Sequence, residues 1–105
     1  MDAARDCYYT MRELVLRHPG GRSSQASLAA LRKLCHIAEK AAADAECSTR
    51  LAAIEEHAAV LFSGCGSGNW LRRRILAELE QFRSRLYVLE VEHSSGLKQG
   101  IEKAA

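Results

Sequence analysis

The stretch Gln25–Phe62, QASLAALRKLCHIAEKAAADAECSTRLAAIEEHAAVLF, contains no glycine and no proline and is richest in Ala, Leu and Glu. These residues lose little conformational entropy in a helix, so the segment is predicted to be helical. Ser24 stands just before it and can cap its start by accepting a hydrogen bond from a free backbone amide. The phase of its apolar residues decides the architecture. With His36 set to zero at 100° per residue, Leu31, Leu34, Ala38, Ala41, Ala42 and Ala45 centre at about 200°, whereas Leu51, Ile54, Ala58 and Leu61 centre at about 20°. The apolar stripe changes sides halfway along. A straight helix with one buried face cannot do this.

Two readings follow. Either the helix breaks near Asp44–Thr49, with Ser48 or Thr49 capping a new helix, or one long helix packs against different partners at its two ends. No Gly or Pro marks a break there. The reading adopted is a kink or break, giving four helices in place of three.

Two Gly-rich breaks bound this stretch, His18-Pro19-Gly20-Gly21-Arg22-Ser23-Ser24 and Ser63-Gly64-Cys65-Gly66-Ser67-Gly68-Asn69. Both concentrate the strongest turn formers. Before the first, Ala4, Cys7, Tyr8, Met11, Leu14 and Val15 follow the spacing of one buried helix face. Pro19 disfavours helix at His18 and ends that helix. After the second, Asn69 is read as the cap of a last helix. Leu71, Ile75, Leu79, Phe82, Leu86 and Leu89 recur in alternating steps of four and three, a heptad stripe that favours nearly antiparallel packing on a neighbour. Leu76 and Tyr87 are read as widening this stripe, which suits a bundle. Ser94-Ser95-Gly96 weakens the helix, and residues 94–105 are expected to form a frayed tail.

The expected fold class is therefore all-α: a small up-down bundle of three long helices, the second kinked or split to give four. The 105 residues suit one domain. The many alanines let helices approach closely but each buries little area, so dimerisation is a natural supplement to the core. The formal charge of +2 is not that of a strongly basic nucleic-acid binder. No apolar run approaches the ~18 residues of a membrane span, and the start Met1-Asp2-Ala3-Ala4-Arg5-Asp6 lacks an apolar signal core. A cytoplasmic protein is expected, its cysteines reduced.

The most unusual local feature is the second Gly-rich loop. Gly66, Gly68 and Asn69 precede Arg72, Arg73 and Arg74 at a helix start. Free amides, a glycine loop and guanidinium groups there can hold a phosphate, a carboxylate or a nucleic-acid backbone. The duller reading is an ordinary loop followed by solvated arginines, some paired with Glu78. Three consecutive helical residues span about 200°, so at most two arginines share a face. The loop lacks the Lys-Ser/Thr of a P-loop. Trp70 can stack on a base or anchor the helix in the core, the commoner role.

Cys35, His36, Cys47, His57 and Cys65 supply metal donors, but no Cys-x-x-Cys or His-x-x-x-His pair exists, so no metal site is expected. Cys7 and Cys35 lie on apolar stripes as small hydrophobes, while Cys65 lies in a loop near arginines that would favour its thiolate. Glu55, Glu56 and His57 diverge around a helix and cannot meet on one substrate atom. His36 and His57 match no phosphotransfer motif and are read as surface or boundary residues. No catalytic constellation or cofactor fingerprint is present. The expectation is a non-enzymatic protein-interaction module, such as an adaptor, chaperone-like protein or regulatory subunit, working as a homodimer or with a partner helix. The alternative is a nucleic-acid or anion-binding regulator using Arg72–Arg74; an enzyme with a site between protomers is a third possibility.

Overall fold

The computed structural model describes residues 2–18, 22–64 and 68–104, with side chains described through His93. Four helices follow in order: α1 Asp2–Arg17, α2 Gln25–Ala42, α3 Ala45–Leu61 and α4 Gly68–Ala104. They pack in a ring, α1 on α2, α2 on α3, α3 on α4 and α4 back on α1. Short connections between successive helices make this an up-down bundle. The all-α bundle read from the periodicity is the observed fold, and the split second helix is part of it.

Each helix boundary has a local cause. α1 carries Asp2 in its first turn and Arg17 in its last, both favourable to the helix dipole. α2 is capped by Ser24, whose side chain accepts from the Ser27 amide at 3.3 Å. The break then comes at Ala43, which adopts a left-handed conformation (φ 47°, ψ 47°) and returns its amide to the Glu39 carbonyl. Asp44 follows in extended geometry and caps α3, its Oδ2 accepting from the Cys47 amide at 3.1 Å.

The cap is thus Asp44, and Ser48 and Thr49 lie inside α3. Thr49 donates to the Ala45 carbonyl at 3.1 Å, and Ser48 reaches Glu39 of α2 at 3.4 Å. Asp44 competes better because the chain turns one residue before it, leaving it alone in the extended conformation a cap requires.

The two halves of the long stretch bury the faces their phases predict. α2 buries Leu31, Cys35, Ala38 and Ala42, and α3 buries Cys47, Leu51, Ile54, Ala58 and Leu61. α1 adds Ala4, Cys7, Tyr8, Met11 and Val15, and α4 adds Leu71, Ile75, Leu79, Phe82 and Leu86. Each large apolar side chain buried this way stabilises the fold by about 1.5–3 kcal/mol. Tyr8 is the core's largest polar-tipped member. Its hydroxyl donates to Glu80, and the Arg83 guanidinium lies 5.6 Å from its ring centroid. Burial and the Glu80 carboxylate raise its pKa.

Two aromatic assignments are corrected. Tyr87 does not widen the buried stripe but is 68% exposed, and Trp70 is 55% exposed and not a core anchor. Both sit on the outer side of α4, whose inner side is filled by Leu79, Phe82 and Leu86. Leu76, by contrast, does pack against the core. Asn69 is not a cap either, because α4 already begins at Gly68.

Candidate functional site

The two Gly-rich loops meet at one end of the bundle. The Ser24 amide donates to the Phe62 carbonyl at 2.7 Å, tying the start of α2 to the end of α3. Gly64 sits at φ +82°, where a Cβ would lie 3.1 Å from both the Arg22 carbonyl carbon and the Ser23 nitrogen. A glycine is needed there both for the backbone conformation and for the close crossing of the two chains.

Arg72 joins the crossing from α4. Its Nη2 donates to the His18 carbonyl at the end of α1. His18 is only 6% exposed and stacks edge-on against Phe62, ring centroids 4.8 Å apart. Two nitrogens in this cluster, His18 Nε2 and Arg72 Nε, are buried without a hydrogen-bond partner. His18 also borders a cleft of about 350 Å³ lined by residues that include Arg17, Arg22, Ser23, Ser24 and Ser27.

The residues singled out from sequence separate here. Gly66, like Cys65, lies outside the described residues. Gly68 opens α4, and Asn69 is exposed in its first turn. Arg72 turns inward to His18, Arg73 stays exposed, and Arg74 pairs with Glu78 at 3.4 Å. Glu78 is itself buried and also takes Arg50 of α3 at 3.3 Å. The three arginines do not converge on one point. The helical twist sends them three ways, and two are engaged within the chain. Sequence reading missed His18, Arg22 and the serines of the first loop. The signal was the matching Gly-rich character of the two loops, which in an up-down bundle places both at the same end.

The remaining candidates are packed in the core, paired within the chain or exposed at the surface. Cys35 is buried between Met11 Sδ at 3.6 Å and the Leu51 carbonyl at 3.9 Å. Burial, with Glu55 and other negative neighbours, pushes its thiol up to about 12. Cys47 is also buried and is pushed up to about 12, by burial and then by Asp44. His36 is exposed, and His57 sits 2.7 Å from the Ala53 carbonyl with its ring tilted towards Trp70. Glu55 pairs with Arg32 across the α2–α3 groove at 3.3 Å, away from His57. Among the described residues no group of three His, Cys, Asp or Glu side chains is placed to hold a metal ion. Among them, too, no helix is long and apolar enough to cross a membrane.

Comparison with protein families, curated proteins and solved structures finds no match to this chain.

Proposed function

We propose that this chain is a protein-interaction module, an adaptor or regulatory subunit, that works as a homodimer through the outer face of α4. The observation that carries the reading is the exposure of Tyr87, Val88 and Val91 together on the side of α4 turned away from the buried line Leu79, Phe82 and Leu86. At 100° per residue these three side chains fall within about 100° of arc. Exposed aromatic and β-branched side chains gathered on one helix face mark association surfaces.

The partner that fits is a second copy in antiparallel orientation. Exposed Arg73 lies towards one end of this face and exposed Glu92 at its margin towards the other. A two-fold antiparallel pairing sets unlike charges opposite each other, whereas a parallel one sets like charges together. Exposed Ala77 and the small Ser84 between them let two helices approach closely.

Analytical ultracentrifugation tests this. The expected result is a dimer at micromolar concentration, converted to monomer by Tyr87→Glu or Val91→Glu with an unchanged helical circular dichroism spectrum. These positions are exposed, so the variants fold. A wild-type chain that stays strictly monomeric overturns the homodimer.

A further inference from the structure

We propose that Trp70 is the anchor of the homodimer, packing against Val88 and Val91 of the partner chain about a two-fold axis that passes between residues 80 and 81. This contact rests on the antiparallel homodimer proposed above and sets its register.

α4 carries a second heptad stripe. Trp70, Ala77, Ser84 and Val91 recur every seven residues, and Arg74, Gln81 and Val88 stand four residues after the first three. All seven are exposed. At 100° per residue they stay within about 100° of arc over roughly six turns. The inner stripe of Leu71, Ile75, Leu79, Phe82 and Leu86 is buried in the bundle, and the outer one faces away from it. Such a repeat suits a helix that packs along its length on another helix.

Length argues for the whole stripe. Tyr87, Val88 and Val91 span only about 6 Å of helix. A stable interface buries at least about 1,000 Å². The contact therefore has to run along α4, and the stripe from Trp70 to Val91 is about 32 Å long.

The order of bulk and charge sets the register. Trp70 stands at one end of the stripe, Val88 and Val91 at the other, and the small Ala77 and Ser84 between them. An antiparallel two-fold axis between residues 80 and 81 sets Trp70 opposite the partner's Val91 and Ala77 opposite the partner's Ser84. Small against small lets the two axes close, so the contacts at both ends form together. Arg73 and Arg74 then fall beside the partner's Tyr87, an arrangement suited to a cation–π contact, with Glu92 about one turn beyond. Glu80, next to the axis, brings no bare charge to it. Its carboxylate accepts from Tyr8 and pairs with Arg83 at 3.9 Å. A parallel pairing instead sets Arg73 and Arg74 against their own copies.

Trp70 has little cover within its own chain. It is 55% exposed, and the His57 ring beside it is tilted by 51° with centroids 6.1 Å apart. Tryptophan is among the residues that most often carry the binding energy of an interface.

Trp70 is the chain's one tryptophan, so its fluorescence reads the contact directly. Emission and acrylamide quenching are followed on dilution, with ultracentrifugation of the same samples. The expected result is a blue-shifted, quencher-protected indole in the dimer that becomes exposed with the same midpoint as dissociation. Val91→Glu should give the exposed signal at every concentration. Trp70→Ala should weaken the dimer about tenfold or more, while Ile37→Ala, exposed on α2, should leave it unchanged. Under mild oxidation, a mixture of Ala77→Cys and Ser84→Cys chains should give a disulfide-linked heterodimer, and neither variant alone should link to itself. A dimer whose Trp70 stays exposed, or each cysteine variant linking to itself, overturns this contact and leaves the homodimer standing. A strictly monomeric chain overturns both.

Discussion

Arg85 grips Asp44 on both carboxylate oxygens, Nε to Oδ2 at 3.0 Å and Nη2 to Oδ1 at 2.9 Å. This bidentate pair ties the corner between α2 and α3 to the far helix α4. The same Asp44 carboxylate caps α3, and Glu46 lies 3.3 Å from the Arg85 Nε. One side chain therefore sets the start of α3 and anchors the corner.

The Arg85 hydrogen bonds hold the Asp44 carboxyl well below the ordinary carboxylate range and raise the Arg85 pKa in turn. Folding lowers the Asp44 pKa, so its stabilisation is fully present above the unfolded value of about 3.9. It is lost as pH falls from there through the folded value. Asp44→Asn keeps a good capping group but removes the charge. Its melting temperature should lie below wild type near neutrality, and the gap should close in acid. Melting curves from neutral to strongly acidic pH check this; parallel curves for the two proteins contradict it.

Ala43 pays for the corner with a left-handed conformation, at φ 47°. For a residue with a Cβ this costs about 1–2 kcal/mol, and glycine is the residue favoured after a helix end. Glycine also loses more entropy on folding, which offsets part of the gain. Ala43→Gly should therefore stabilise the protein by about 0.5–1 kcal/mol, a rise in melting temperature of roughly 3 °C. A lower melting temperature contradicts this account of the corner.

Gly64→Ala should act in the opposite direction. Its φ of +82° strains any L side chain, and the new Cβ would press on the Arg22 and Ser23 backbone at 3.1 Å. A loss of about 1–2 kcal/mol is expected. Because the contact is between the loops, hydrogen exchange should rise first at the Ser24 amide that bonds Phe62. Unchanged exchange there would mean that the crossing does not depend on this glycine.

These positions show what the sequence made legible and why the rest was hidden. The side switch between Ala38 and Leu51 revealed two helices because each half must bury its own stripe. The corner itself was hidden because Ala43 is a left-handed residue without the glycine that normally announces one. Ser48 and Thr49 drew attention as caps, although Asp44 is equally good chemistry and sits where the chain turns. Tyr87 was misplaced because it adjoins Leu86, one helical step from the core line, and apolar character alone does not fix the face. The Arg72–Arg74 cluster looked like a site because adjacency in sequence suggests convergence. The helix separates such neighbours, and Arg72 found a carbonyl 54 positions away. His18 and Arg22 escaped notice because only the bundle topology brings the two loops together.

The thiols give a test of the core that does not depend on any proposed partner. Cys7, Cys35 and Cys47 are buried and unpaired. Burial raises all three pKa values, those of Cys35 and Cys47 to about 12. The thiolate is the reactive form, so at about pH 8 roughly one part in ten thousand of a thiol with a pKa of about 12 is reactive, even before burial blocks access. Iodoacetamide labelling of the native protein, mapped by mass spectrometry, should leave Cys35 and Cys47 unmodified. Both should label fully in denaturant. Their rate in the native protein should report global opening of the bundle, and so should rise in Gly64→Ala and fall in Ala43→Gly. Rapid labelling of Cys47 in the folded wild type would show that the Asp44 corner opens on its own, and would place the weakest point of the fold between α2 and α3.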